Sequence, residues 1–322
     1  MFQTDLIVQL QSLSSGFLDL IMQVISFLGD GDTLPVLLLA FMFGVHLRAG
    51  FIMFQAWIWA VTLNGVLKAH LRFPRPFDIN GKVRSPGITD SAAPAISFNP
   101  GGFFALPPGG TNPSAGFGFP SGHCAGTAAW AGALATLVRR PIARILLGVW
   151  ILLMAFSRLY LGRHFPADVL AGTLIGLAVA MTAVGTMGRS PTLQWWLEER
   201  FQRFRAEWRR PLVIFAALAG PLIILFIPRA YATASARLLG LNLGFLFSWW
   251  RGLPREGGSP SRRLVRAALG VLIYSIIFNG PALIIGNSVM PAWLDILRHF
   301  LAPFTALAAG IHLAVKFGAW SR

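Results

Sequence analysis

The chain has 322 residues, of which 55% are hydrophobic and only 12% are charged. A soluble domain needs more charge to cover its surface, so the composition predicts a polytopic membrane protein. The net charge of +15 does not indicate nucleic-acid binding, because the basic residues lie in short loops between apolar segments. The single cysteine, Cys124, excludes an intramolecular disulfide.

The apolar segments predict an all-α polytopic membrane helical bundle with about nine transmembrane helices, since a span needs about 20 mostly apolar residues. The nine candidate spans are Thr33–Val45, Phe51–Leu67, Ser121–Val138, Ile142–Tyr160, Ala167–Met187, Pro211–Ile227, Leu238–Trp250, Leu264–Ile285 and Leu297–Phe317. Residues 1–30 hold a shorter apolar stretch interrupted by Asp19, which predicts an amphipathic interfacial segment, with a tenth span as the alternative.

We expect a single membrane domain over residues 1–322. Within it, residues 33–187 form a helical core, 188–210 an interfacial segment and 211–322 four additional C-terminal spans. The break at 76–120 is rich in Gly, Pro and Phe, which predicts irregular structure packed around a site.

Alternation of the nine spans places 17 of the 27 basic residues on one side of the membrane. The positive-inside rule makes that side cytoplasmic. Three short polar motifs then lie together on the opposite side, which faces the periplasm, the cell exterior or an organelle lumen.

The three motifs read K-x6-R-P, P-S-G-H and S-R-x5-H-x3-D in chain order. Their polar members are Lys68, Arg75, Ser121, His123, Ser157, Arg158, His164 and Asp168. Lysine and arginine side chains can place positive charge around the equatorial oxygens of a phosphoryl group. Ser121 and Gly122 open a predicted helix, whose free N–H groups suit an anion. No His/Cys/Asp/Glu cluster has metal-ligand spacing.

This set resembles the signature of the type 2 phosphatidic acid phosphatases, a family that includes glucose-6-phosphatase and the vanadium haloperoxidases. The match covers about a third of the chain, and every motif position is filled. The resemblance implies a metal-independent mechanism with no cofactor. It implies that His164 is the nucleophile, that Asp168 orients it, and that His123 is the acid and base. It also implies a phosphate-binding set, which consists of Lys68, Arg75, Ser121, Gly122 and Arg158.

The resemblance further implies a lipid phosphate or diphosphate as substrate, with membrane lipids as surroundings. Phosphatidic acid, phosphatidylglycerol phosphate and the phosphates of lipid A are candidates, and undecaprenyl diphosphate is the leading one. The alternatives are a sugar-phosphate phosphatase similar to glucose-6-phosphatase, a lipid phosphotransferase, and a non-enzymatic lipid transporter or binding protein. We expect a bacterial inner-membrane protein whose site faces the periplasm. The sequence leaves the oligomeric state open.

Overall fold

The structure is a computed structural model of the chain. It describes residues 3–86, 117–189, 218–222, 232–286 and 290–321. All the regular secondary structure in these ranges is helical, so the predicted all-α class is confirmed. The helices in chain order are α1 (Thr4–Ser12), α2 (Gly16–Leu28), α3 (Thr33–Gly44), α4 (Leu47–Leu71), α5 (Pro76–Ile79), α6 (Gly122–Leu137), α7 (Pro141–Tyr160), α8 (Pro166–Arg189), α9 (Ala232–Trp250), α10 (Pro260–Ile285), α11 (Ala292–Thr305) and α12 (Ile311–Lys316), with a π-helical turn at Ala306–Gly310 between the last two.

Five of the described helices are long and apolar enough to cross a membrane, and the protein is therefore an integral membrane protein. A sixth crossing follows if α2 and α3, which meet at an angle of 64°, form one broken span. The count of nine spans stays a prediction, as does the interfacial placement of residues 1–30. The predicted span Pro211–Ile227, the interfacial segment 188–210 and the long break 76–120 lie largely outside the described residues.

The helix boundaries follow from local sequence chemistry. Prolines open α5, α7, α8 and α10 at positions where the missing N–H has no helical partner. Helix α7 ends before Gly162, whose φ of +64° favours glycine. A Cβ on Gly162 would lie 2.3 Å from the Arg84 carbonyl oxygen, so the turn after α7 has no room for a side chain.

The described chain divides into two compact units. The first comprises residues 1–34, 52–105 and 112–184, and the second comprises 35–51, 106–111 and 185–322. The single membrane domain expected over residues 1–322 stays a prediction. All the motif residues belong to the first unit.

In the first unit, the N-terminal helices pack on the motif-bearing segments. Met22 and Ile25 of α2 form a buried cluster with Met154 and Tyr160 of α7. A second cluster joins Ile7 of α1 to Val83 and Phe165. These apolar contacts bring the first thirty residues against the turn that carries the third motif.

The second unit is built mainly from α9 to α12. Helices α9 and α11 approach closely, because a Cβ on Gly240 would lie 2.0 Å from the Phe300 carbonyl oxygen. Buried Arg298 bonds to Asp295 at 2.7 Å, and the guanidinium of buried Arg266 lies 4.6 Å from the Trp320 ring centroid. These pairings offset the cost of burying charge in this unit.

Candidate active site

The first motif lies at the end of α4 and in the following loop. Lys68 is buried, and its Nζ donates to the Phe117 carbonyl oxygen at 3.0 Å. The Gly118 N–H donates to the Phe73 carbonyl oxygen at 2.7 Å. The chain entering the long break and the chain leaving it are therefore held side by side next to Lys68.

The second motif starts α6, with Ser121 at the N-cap. The Ser121 N–H donates to the Asp168 carbonyl oxygen at 2.9 Å, which ties the second motif to the third. Helix α8 approaches this point closely, since Cβ atoms on Gly172 and Gly176 would lie 2.4 Å and 2.2 Å from the carbonyl oxygens of Ser121 and Ala125. The two glycines allow the N-terminus of α6 to pack beside His164 and Asp168.

The predicted nucleophile and its orienting carboxylate form a buried pair. His164 Nδ1 lies 3.4 Å from Asp168 Oδ2, and only 2% and 5% of these side chains are exposed. The same oxygen accepts a hydrogen bond from the Phe165 N–H at 2.8 Å, which fixes the carboxylate. The imidazole contact is within ion-pair distance but is not aligned as a hydrogen bond.

The three predicted cations converge on His164. Burial lowers the pKa of His164 well below the ordinary histidine value, and the charges of Lys68, Arg158 and Arg75 lower it further. The imidazole is therefore neutral near pH 7, as a nucleophile requires. Burial also lowers the pKa of Arg75, which the carboxylates of Asp78 and Asp168 partly counteract.

Several buried donors in this region have no hydrogen-bond partner among the described residues. They are Arg158 Nε and Asn64 Nδ2. The Ser121 hydroxyl is paired only with the Cys124 thiol, which is a weak partner. Buried donors are normally satisfied, so these atoms indicate room for an acceptor-rich ligand. A phosphate group supplies such acceptors.

The structure brings every predicted site residue into this one region of the first unit. It also adds residues that the sequence analysis missed. Asp30, between α2 and α3, has its Oδ1 3.8 Å from His123 Nε2. Ser26 of α2 accepts a hydrogen bond from Arg158 Nη1. The sequence carried no motif signal for either residue.

Two further residues were missed although the sequence carried a signal for them. Asn64 is a buried amide one helical turn before Lys68, and polar residues inside a membrane span are typical of functional sites. Arg163 directly precedes His164. Burial, together with the charges of Arg158 and Arg75, lowers the pKa of Arg163 to about 9. Its guanidinium donates to the Pro86 carbonyl oxygen at 2.8 Å, which indicates a structural role for that group.

No group of three or more His, Cys, Asp or Glu residues within the described ranges is placed to hold a metal ion. The positive charges of Lys68, Arg75 and Arg158 near His164 favour binding of an anion. The fold and the site together define a helical membrane protein in which cationic side chains surround His123 and His164.

Comparison with known proteins finds a family match over part of the chain. The family described as "PAP2 superfamily" matches residues 49–191, which include all three motifs. This segment is less than half of the chain, and over it the chain is similar to this superfamily, in agreement with the resemblance seen in the sequence.

Curated relatives match over a shorter stretch. Lipid A 4'-phosphatase of Bacteroides thetaiotaomicron is 43% identical over 61 residues, which are 19% of this chain and 27% of that protein. Phosphatidylglycerophosphatase B of Escherichia coli is 41% identical over 71 residues, 21% of this chain and 28% of that protein. The matches thus span little more than a quarter of each relative. A crystal structure of Aquifex aeolicus LpxE aligns with a TM-score of 0.40 and 22% identity, covering 56% of this chain and 93% of that one.

Proposed function

We propose that the protein is a membrane phosphatase that hydrolyses a lipid phosphate through a phosphohistidine on His164. The observation that carries the proposal is the convergence of a neutral, buried His164 with three cations and the N-terminus of one helix. Phosphoryl transfer depends mainly on positioning and on positive charge around the equatorial oxygens, and these groups supply both.

In the first step, His164 Nε2 attacks phosphorus, because Nδ1 faces Asp168. The bond between phosphorus and the leaving oxygen breaks, and that oxygen takes a proton from His123. The products of this step are an alcohol and a phosphohistidine. Asp168 stabilises the positive charge that develops on the imidazole.

In the second step, a water oxygen attacks the phosphorus of the phosphohistidine while His123 accepts a proton from that water. The bond between nitrogen and phosphorus breaks, and inorganic phosphate leaves. His123 is again protonated and His164 is again neutral. Lys68, Arg75 and Arg158 balance the negative charge of the phosphoryl oxygens in both steps.

The names of the two curated relatives favour a lipid phosphate monoester as substrate. Undecaprenyl diphosphate, the leading candidate from the sequence, has no such support and stays a prediction. We place the protein in a bacterial inner membrane with the site facing the periplasm, which rests on the distribution of basic residues in the sequence.

The test is phosphate release by the purified protein from phosphatidic acid, phosphatidylglycerol phosphate, lipid A, undecaprenyl diphosphate and glucose 6-phosphate. His164→Ala should abolish release and prevent labelling of the protein by substrate phosphate. His312→Ala removes an exposed histidine of the second unit and serves as the matched control. Turnover at the wild-type rate in His164→Ala would overturn the mechanism. Turnover of glucose 6-phosphate far above every lipid would overturn the substrate class.

A further inference from the structure

Asp30 lies where α2 breaks from α3, and its carboxylate has two distinct neighbours. Oδ2 accepts a hydrogen bond from the Asp32 N–H at 3.3 Å, which forms a local turn typical of aspartate. Oδ1 is the oxygen that lies 3.8 Å from His123 Nε2. The turn therefore directs one carboxylate oxygen towards the second catalytic histidine.

The loop that carries Asp30 is held tightly in place. The Asp30 N–H donates to Phe27 at 3.0 Å, and its carbonyl oxygen accepts from the Leu34 N–H at 2.9 Å. A Cβ on the preceding Gly29 would lie 2.4 Å from Met154 Cε, so α7 packs directly against this loop. The backbone position of Asp30 is thus set by the fold.

The two ends of the site, one at His164 and the other at His123, differ in the exposed fraction of their side chains. The His164 and Asp168 side chains are 2% and 5% exposed, whereas those of His123 and Asp30 are 25% and 46% exposed. The transferred phosphoryl group binds at His164, at the buried end. The remainder of the substrate must leave through the open end, where His123 protonates it and where Asp30 lies.

We propose that Asp30 is a specificity-determining residue that makes the site prefer lipid phosphate monoesters to lipid diphosphates. This inference rests on the proposed function. A monoester releases a neutral alcohol beside Asp30. A diphosphate whose terminal phosphate occupies the pocket places its second, anionic phosphate there, and the carboxylate repels it.

The same carboxylate favours the protonated form of His123, which the first step consumes. Burial of His123 opposes this protonation by lowering its pKa, and the charges of Arg158, Lys68, Arg163 and Arg75 lower the pKa further. Asp30 is the carboxylate within ion-pair distance of His123 among the described residues. Loss of the Asp30 charge therefore lowers the turnover of a monoester, because less His123 is protonated. For a diphosphate, loss of the repulsion between Asp30 and the second phosphate offsets this decrease in turnover.

Asp30→Asn tests the proposal, because asparagine keeps the acceptor for the Asp32 N–H and removes only the charge. The measurement is kcat/KM for a long-chain alkyl phosphate and for farnesyl diphosphate. We expect the ratio of monoester to diphosphate to fall about tenfold, the order expected for one charge at this range near a protein surface. Asp30→Glu keeps the charge and should restore most of the ratio, and Asp32→Asn should leave the ratio unchanged.

A purely structural role predicts a different result. If Asp30→Asn lowers both values of kcat/KM by the same factor, or if Asp32→Asn shifts the ratio equally, the proposal is wrong.

Binding gives a test that does not need turnover. In the His164→Ala background, Asp30→Asn should tighten farnesyl diphosphate binding relative to the alkyl phosphate, and equal affinities before and after the change would overturn the proposal. Absence of phosphate release by wild type from every lipid would contradict the proposed function alone.

Discussion

The contact between α8 and the start of α6 leads to a prediction about Gly172→Ala. A Cβ at this position would lie 2.4 Å from the Ser121 carbonyl oxygen, and ordinary contact begins at 3.4 Å, so the overlap is 3.4 − 2.4 = 1.0 Å. The obstructing atom is backbone and cannot rotate away. Helix α8 must therefore move from α6 by about 1 Å, at a cost of about 1–3 kcal/mol for overpacking.

This displacement acts directly on the site. Asp168 lies one turn before Gly172, and its carbonyl oxygen accepts the Ser121 N–H bond that joins the two motifs. Moving α8 separates His164 and Asp168 from the phosphate-binding end of α6. A misplacement of about 1 Å can lower the rate of an enzyme about 100-fold, and we expect that loss in kcat/KM.

The assay combines phosphate release with thermal unfolding in detergent. Gly185→Ala is the matched control, because it makes the same change in the same helix and its Cβ would meet no atom of the described residues within 4 Å. That control should keep wild-type activity, with stability unchanged or slightly raised by the better helix propensity of alanine. Wild-type turnover and an unchanged melting temperature in Gly172→Ala would refute the reasoning.

Three further predictions concern the site itself. Asp168→Asn should lower kcat about 100-fold with little change in KM, since it disturbs the orientation of the nucleophile more than phosphate binding; a change confined to KM would contradict this role. Because the folded-state pKa of His164 is lowered, the unfolded state binds more protons. The free energy of unfolding should thus fall as pH drops below about 6.5, and it should fall by more in wild type than in His164→Ala. Parallel pH profiles of the two melting temperatures would count against a neutral His164. Chelator should leave phosphate release unchanged and vanadate should inhibit it; activity lost to chelator and restored by a divalent metal would contradict the metal-independent mechanism.

The sequence by itself determined the helical membrane class and most helix positions, and it predicted the site residues. The predicted span Ile142–Tyr160 corresponds to α7 (Pro141–Tyr160), and Leu264–Ile285 lies within α10 (Pro260–Ile285). Apolar segments and proline positions act locally along the chain, so they can be read without coordinates. The three motifs were recognisable because they keep fixed residue types at fixed spacing.

Only the tertiary structure decided which residues from outside the motifs reach the site. Asp30 and Ser26 lie about 90 or more positions before the side chains that they contact, His123 and Arg158, and no periodicity relates them. The close approach of Gly172 to Ser121 also depends on the packing of two distant helices. Such contacts result from the burial of apolar faces across the fold. The sequence pattern shows which helix faces are apolar, but it does not show which other parts of the chain these faces pack against.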